Sequence, residues 1–122
     1  MFEVATRRHF DAAHCLRGYQ GKCERLHGHR FEVEAVVRAE ELDATGIALD
    51  FTLLKRLLGA ICDELDHRNL NELPPFQQEN ASSEGLARYI YRRLAPQIPE
   101  PARLLSVTVW ESPESWARYS EP

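Results

Sequence analysis

Two histidines separated by a single glycine indicate a metal site. His27 and His29 flank Gly28 in front of a segment in which apolar and polar residues alternate. Side chains two residues apart on a strand point to the same face, so both imidazoles can reach one ion. His14 follows the first predicted strand, and the end of one antiparallel strand lies beside the start of the next. Three imidazoles with one open position are typical of catalytic zinc, while the alternative is a set of solvated loop histidines.

Cys23 lies four residues before His27, and this spacing fits two roles. As a fourth ligand, Cys23 would close the zinc site and make it structural. As a free thiol beside the metal, it would be a reactive group. Spacing does not choose between these roles. Cys62 stands among leucine and isoleucine residues and is predicted to be buried.

Two further polar groups are candidates for chemistry. Asp66 directly precedes His67 at the end of a predicted helix, and a carboxylate beside an imidazole is typical of a proton relay. The alternative is an ordinary helix C-terminus, where the helix dipole favours His67 and Arg68 and Asn69 or Asn71 serves as the cap. Glu111 ends a strand on the same parity as Val107 and Val109. A carboxylate that continues an apolar face either binds a pair of N–H groups on a ligand or marks the point where the strand leaves the core.

Composition limits the class of protein that carries these groups. The chain has 122 residues, 43% of them hydrophobic, and a formal net charge of −4. We expect one globular domain over residues 1–122, with no electrostatic affinity for nucleic acid. No apolar run approaches the roughly 20 residues that span a bilayer, and the N-terminus carries no signal-like apolar segment. A cytoplasmic protein with no membrane partner is expected.

Alternating and helical patterns predict the elements that position these residues. Strands are predicted at 2–9, 29–39, 103–111 and 115–120, helices at 52–65 and 83–95, and loops at 10–28 and 71–80. In the third strand, Leu105, Val107 and Val109 are predicted to share one face. The order of elements predicts an α+β domain with an antiparallel sheet and helices on one face.

Six short segments resemble the 6-pyruvoyl-tetrahydropterin synthase family, and among its branches the bacterial 6-carboxy-5,6,7,8-tetrahydropterin synthases of queuosine biosynthesis. They run in the family's order over nearly the whole chain, as Phe10–His14, Cys23–His29, Leu49–Phe51, Leu65–Leu70, Asn80–Glu84 and Val109–Glu111. The combination FxAAH, CxxxHGH and LDHxxLN is specific, although each piece alone is common. The short gap between Cys23 and His27 resembles the carboxy branch, and the presence of Cys23 argues against a folate-related branch that has glutamate there.

The resemblance implies a tunnelling fold with a four-stranded antiparallel sheet and two helices on one side. It also implies homo-oligomers in which trimers close a barrel edge to edge and two trimers stack into a hexamer. By position, the implied Zn²⁺ ligands are His14, His27 and His29. The implied proton-transfer groups are Cys23, Asp66 and His67, and the implied pterin contacts are Glu111, Glu84, Ser83 and Ser82.

The implied activity is that of a zinc-dependent lyase. It converts 7,8-dihydroneopterin triphosphate to 6-carboxy-5,6,7,8-tetrahydropterin with release of acetaldehyde and triphosphate. The alternatives are the 6-pyruvoyl product from the same substrate and a non-catalytic zinc-binding module. Ser82-Ser83 stands where the family often has Pro-Thr, and neither Cys15 nor His9 receives a role.

Overall fold

One mixed sheet of five strands organises the molecule. The computed structural model describes residues 1–122, and its strands are β1 (Phe2–His14), β2 (His27–Ala39), β3 (Arg68–Asn69), β4 (Arg103–Ser112) and β5 (Ser115–Tyr119). They lie in the order β3-β1-β2-β4-β5. All pairs are antiparallel except β3, which runs parallel to β1. The predicted sheet had four strands, because a strand of two residues is too short to show alternation.

The first two strands are longer than predicted and meet at the histidines. β1 continues from residue 9 through His14, and β2 begins at His27, so most of the predicted loop 10–28 is a hairpin connection of residues 15–26. Phe10, Ala12 and His14 are buried and continue the parity of the strand. Small and polar residues lie among them, so the hydrophobicity pattern does not show that the strand continues.

Two helices cover one face of the sheet, as predicted. α1 (Phe51–Leu65) packs on β1, and α2 (Ser83–Leu94) packs on β4 and β5. Asp50 caps α1 by accepting a hydrogen bond from the Thr52 N–H, and Ser82 caps α2 by accepting one from the Gly85 N–H. Both helices turn their apolar stripes to the core; these side chains include Leu54, Leu58, Ile61, Leu65, Leu86, Ile90 and Leu94. No helix is both long and apolar enough to cross a membrane.

A bulge in the pairing of β2 with β4 changes which leucine enters the core. Val36 lies opposite Ser106, whereas Val37 lies opposite Leu104, so one extra residue stands on β4. Leu104 is therefore buried and Leu105 only half-buried. The prediction that Leu105 shares the face of Val107 was wrong, because strict alternation cannot anticipate a bulge.

Candidate metal centre and active site

The three predicted ligand histidines converge at one end of the sheet. His14 lies directly opposite His27 in the β1–β2 register, and His29 lies opposite Ala12. One ring nitrogen from each histidine lies within 4.8 Å of the others. The His14 ring centroid is 4.6 Å from that of His27 and 5.2 Å from that of His29. The strand register therefore brings three imidazoles to one point.

Backbone carbonyls fix the orientation of two of these rings. The His14 Nδ1–H donates to the Ala81 carbonyl at 2.6 Å, and the His27 Nδ1–H donates to the Arg25 carbonyl at 2.6 Å. A carbonyl only accepts, so Nδ1 carries the proton and Nε2 presents a lone pair. The His14 side chain is 1% exposed, and its Nε2 is buried without a hydrogen-bond partner. A buried acceptor left without a donor costs free energy unless a ligand binds it.

Burial also favours the neutral form of two of these imidazoles, those of His14 and His29. Desolvation lowers the pKa of His14, against the hydrogen bond to Ala81, and the nearby His27 and His29 lower it further. Desolvation lowers the pKa of His29 as well, while the Glu111 carboxylate acts in the opposite direction. Neutral imidazole is the form that coordinates a metal ion.

Cys23 lies outside this group of ligand atoms. It is half-buried in a single 3-10 turn, Lys22–Glu24, and its carbonyl accepts a hydrogen bond from the Leu16 N–H at 2.7 Å. The group whose ligand atoms lie within 4.8 Å of one another holds only the three histidines. Cys62, by contrast, is buried in the core, and burial raises the pKa of its thiol to about 12.

Asp66 and His67 form a hydrogen-bonded pair on the outer edge of β1. Asp66 Oδ2 lies 2.9 Å from His67 Nδ1, and Asp66 Oδ1 accepts from the Asp11 N–H at 2.8 Å. The His67 N–H donates to the Asp11 carbonyl, and His67 takes a positive φ of 56°. The His67 side chain is 80% exposed. Within one chain no hydrogen bond joins Asp66 or His67 to Cys23.

A cleft of about 240 Å³ brings together the four residues predicted to contact a pterin. Ser82, Ser83 and Glu84 line it from the start of α2, and Glu111 lines it from the end of β4. Ser83 is 7% exposed, and its hydroxyl is buried without a hydrogen-bond partner. The Glu111 charge acts on His14 and His29, so this cleft adjoins the histidine cluster.

Comparison with known proteins decides the family. The model of the family described as 6-pyruvoyl tetrahydropterin synthase matches residues 3–122. The chain belongs to this family. It is 38% identical over 118 residues to a 6-carboxy-5,6,7,8-tetrahydropterin synthase of Synechocystis sp., covering 93% of this chain and 88% of that protein. A dihydroneopterin monophosphate aldolase of Pyrococcus furiosus is 36% identical over 111 residues, covering 91% of this chain and 90% of that protein.

A solved structure of the same family supports the fold. The 6-pyruvoyl tetrahydropterin synthase of Caenorhabditis elegans superimposes with a TM-score of 0.85 at 30% identity, covering all of this chain and 98% of that one. The resemblance drawn from the motifs is therefore confirmed, as is the tunnelling fold. The chain has a tetrahydropterin synthase-type, lyase-type activity in pterin metabolism.

The histidine cluster fits the zinc ion that the resemblance to this family implies. It offers three nitrogen ligand atoms, one of them a buried atom without a partner. A set of three protein ligands is the number that catalytic zinc sites use. The Ala81 carbonyl, which orients His14, was missed in the sequence. Every residue carries such a carbonyl, so no side-chain pattern could reveal it.

The Asp66–His67 pair allows a direct test by titration. The hydrogen bond and charge of Asp66 raise the pKa of His67, and the Asp11 N–H and His67 together lower the pKa of Asp66. His67 therefore keeps its proton to a higher pH than an isolated histidine. In Asp66→Asn the pKa of His67 is expected to fall toward its ordinary value, as measured by NMR titration of the imidazole Cε1–H. An unchanged titration would contradict the pairing, and His9 in the same spectra serves as the reference.

Proposed function

We propose that this chain is a zinc-dependent 6-carboxy-5,6,7,8-tetrahydropterin synthase of queuosine biosynthesis. It would convert 7,8-dihydroneopterin triphosphate and one water to 6-carboxy-5,6,7,8-tetrahydropterin, acetaldehyde and triphosphate. The observation that carries the proposal is the unpartnered Nε2 of His14 in a three-histidine cluster, beside a cleft that contains Glu111 and Ser83. The Synechocystis relative and the short gap between Cys23 and His27 favour the carboxy product.

The chain's own residues supply binding and proton transfer in this proposal. Glu111 would accept the 2-amino and ring N–H groups of the pterin in a bidentate manner, and the unpartnered Ser83 hydroxyl would complete the cleft. Cys23, Asp66 and His67 would move protons on the substrate side chain as general acids and bases. Zinc held by His14, His27 and His29 supplies Lewis-acid polarisation of the side-chain hydroxyls.

We also propose that the active protein is a homo-oligomer, a hexamer of two stacked trimers. Both outer edges of the sheet offer free backbone groups, because β3 pairs only with Ala12 and Ala13 of β1, and β5 is the last strand on the other side. Unpaired strand edges are templates for pairing with another chain. The Asp66–His67 pair bonds to Asp11 on the β1 edge, so edge-to-edge assembly would place this pair at a subunit boundary.

Incubation of the zinc-loaded protein with 7,8-dihydroneopterin triphosphate tests the reaction. Mass spectrometry of the pterin product is expected to give 6-carboxy-5,6,7,8-tetrahydropterin, with acetaldehyde trapped as its hydrazone. Chelation should stop turnover, and added zinc should restore it. A 6-pyruvoyl product would favour the alternative synthase reaction. A pterin shortened by aldol cleavage would place the chain with the reaction class named for the Pyrococcus relative.

A further inference from the structure

An asparagine side chain holds the residue that follows the zinc-ligand candidate His14. Asn71 Oδ1 accepts from the Cys15 N–H at 2.9 Å, and Asn71 Nδ2 donates to the Cys15 carbonyl at 3.0 Å. The amide thus pairs with both backbone groups of one residue, as a neighbouring strand would.

A second asparagine repeats this arrangement two residues later. Asn80 Oδ1 accepts from the Arg17 N–H at 3.0 Å, and Asn80 Nδ2 donates to the Arg17 carbonyl at 3.1 Å. The Arg17 guanidinium in turn donates to the backbone carbonyls of Asn71 and Glu79. The two asparagines come from separate segments, before and after the turn at Pro74–Phe76.

The residue between these two anchored positions ties the segment to Cys23. Leu16 lies between Cys15 and Arg17, both of which are held by asparagine side chains. The Leu16 N–H donates to the Cys23 carbonyl at 2.7 Å. The peptide that carries Cys23 is therefore tied to the asparagine-held segment through one short bond.

Few other hydrogen bonds could take over this role. The remaining hydrogen bonds of residues 15–26 run within that connection, except for the bond that its Arg25 carbonyl accepts from the His27 ring. Every hydrogen bond from the connection to a distant part of the chain ends on Asn71, Glu79 or Asn80. The carbonyl of Ala81, the residue after Asn80, orients the His14 ring.

We infer that Asn71 and Asn80 are positioning residues that set the place of Cys23 relative to the histidine cluster. This inference rests on the proposed function, in which Cys23 transfers protons. One segment, 79–81, holds both the imidazole of His14 and the backbone of Arg17. Loss of either amide leaves the three histidines in register on their strands but releases the connection that bears the thiol.

The variants Asn71→Ala and Asn80→Ala test this role, with Gln97→Ala as the matched control. Gln97 also donates an amide hydrogen bond to a backbone carbonyl, that of Arg93, but at the far end of α2. Each asparagine variant is expected to lower kcat by about 10–100-fold, the usual cost of losing a group that supports an active site. KM should change much less, the cobalt-substituted protein should keep the wild-type absorption spectrum, and Gln97→Ala should resemble the wild type.

Alkylation by iodoacetamide reports on Cys23 without depending on turnover. Trypsin cleaves after Arg17 and Lys22, so Cys15 and Cys23 fall in different peptides and their rates are measured separately. The Cys23 rate is expected to rise several-fold in both asparagine variants and to stay unchanged in Gln97→Ala. If Asn71→Ala does not fold, Asn80→Ala and Asn80→Asp, which keeps the acceptor but loses the donor, carry the test.

Wild-type kcat and a wild-type Cys23 alkylation rate in folded Asn80→Ala would overturn the inference. A shifted cobalt spectrum with an unchanged alkylation rate would also overturn it, because the asparagine would then act on the metal site instead. Full turnover by Cys23→Ala would refute the proposed role of the thiol. In that case the alkylation rates still show whether the asparagines hold Cys23 in place.

Discussion

Replacement of His14 by alanine is expected to abolish stoichiometric zinc binding. His14 is the most buried of the three imidazoles, its Nδ1–H is fixed by the Ala81 carbonyl, and its Nε2 has no other partner. Loss of groups that merely support a metal ligand lowers affinity by about 10–100-fold, so loss of the ligand itself should lower it by more than 100-fold. Competition with a chromogenic chelator measures this affinity.

The same strand provides the control for that experiment. His9 lies on β1 with the opposite parity, is exposed, and stands opposite Glu32. His9→Ala should therefore bind zinc as tightly as the wild type. Because His14 is packed in the core, His27→Ala provides a second ligand variant at a half-exposed position. Wild-type zinc affinity in both ligand variants would contradict the three-histidine site.

The histidine cluster was predictable because its geometry follows from strand periodicity. His27 and His29 share a face by parity, and His14 joins them because antiparallel β1 and β2 are joined by one connection. The same parity excluded His9 as a metal ligand, and the structure places His9 on the exposed face. The alternation of side chains along each strand was therefore enough to predict which residues of neighbouring strands come together.

Contacts between segments that are distant along the chain could not be predicted from sequence patterns. The two residues of β3 pair with β1 only because α1 returns the chain to that edge. The bonds from Asn71 to Cys15 and from Asn80 to Arg17 span more than fifty residues. Asparagine is common in turns of every kind. The presence of an asparagine in a loop therefore does not predict which residue its side chain will bond to.

The sequence left open whether Asp66 and His67 form a proton relay or an ordinary helix C-terminus capped by Asn69 or Asn71. The structure shows features of both, although the cap residue is Asp66 itself. Asp66 is the C-cap residue of α1, and its carboxylate also bonds the ring of His67 and the N–H of Asp11. The backbone of Asp66 is extended, with φ −69° and ψ 137°, and this conformation ends the helix. The hydrogen bond to His67 is available for proton transfer, because the imidazole is largely exposed to solvent.

Cys23→Ala is expected to lose turnover while keeping zinc. Its Sγ is not among the atoms that converge at the histidine cluster, so the three imidazoles should hold the ion without it. A positioned general acid or base contributes about 10²–10⁴-fold to rate, and kcat should fall within that range. Zinc content by elemental analysis and kcat with 7,8-dihydroneopterin triphosphate are measured on the same preparation.

Cys15→Ala is the matched control for the thiol. Cys15 directly follows His14 and is half-buried like Cys23, but Asn71 holds it through its backbone and not its sulfur. Its removal should leave kcat unchanged. Loss of zinc in Cys23→Ala alone would instead show a fourth, structural ligand and so support a non-catalytic zinc module. A thiol that closed the site in that way would have to approach the three imidazoles more closely than it does in the single chain.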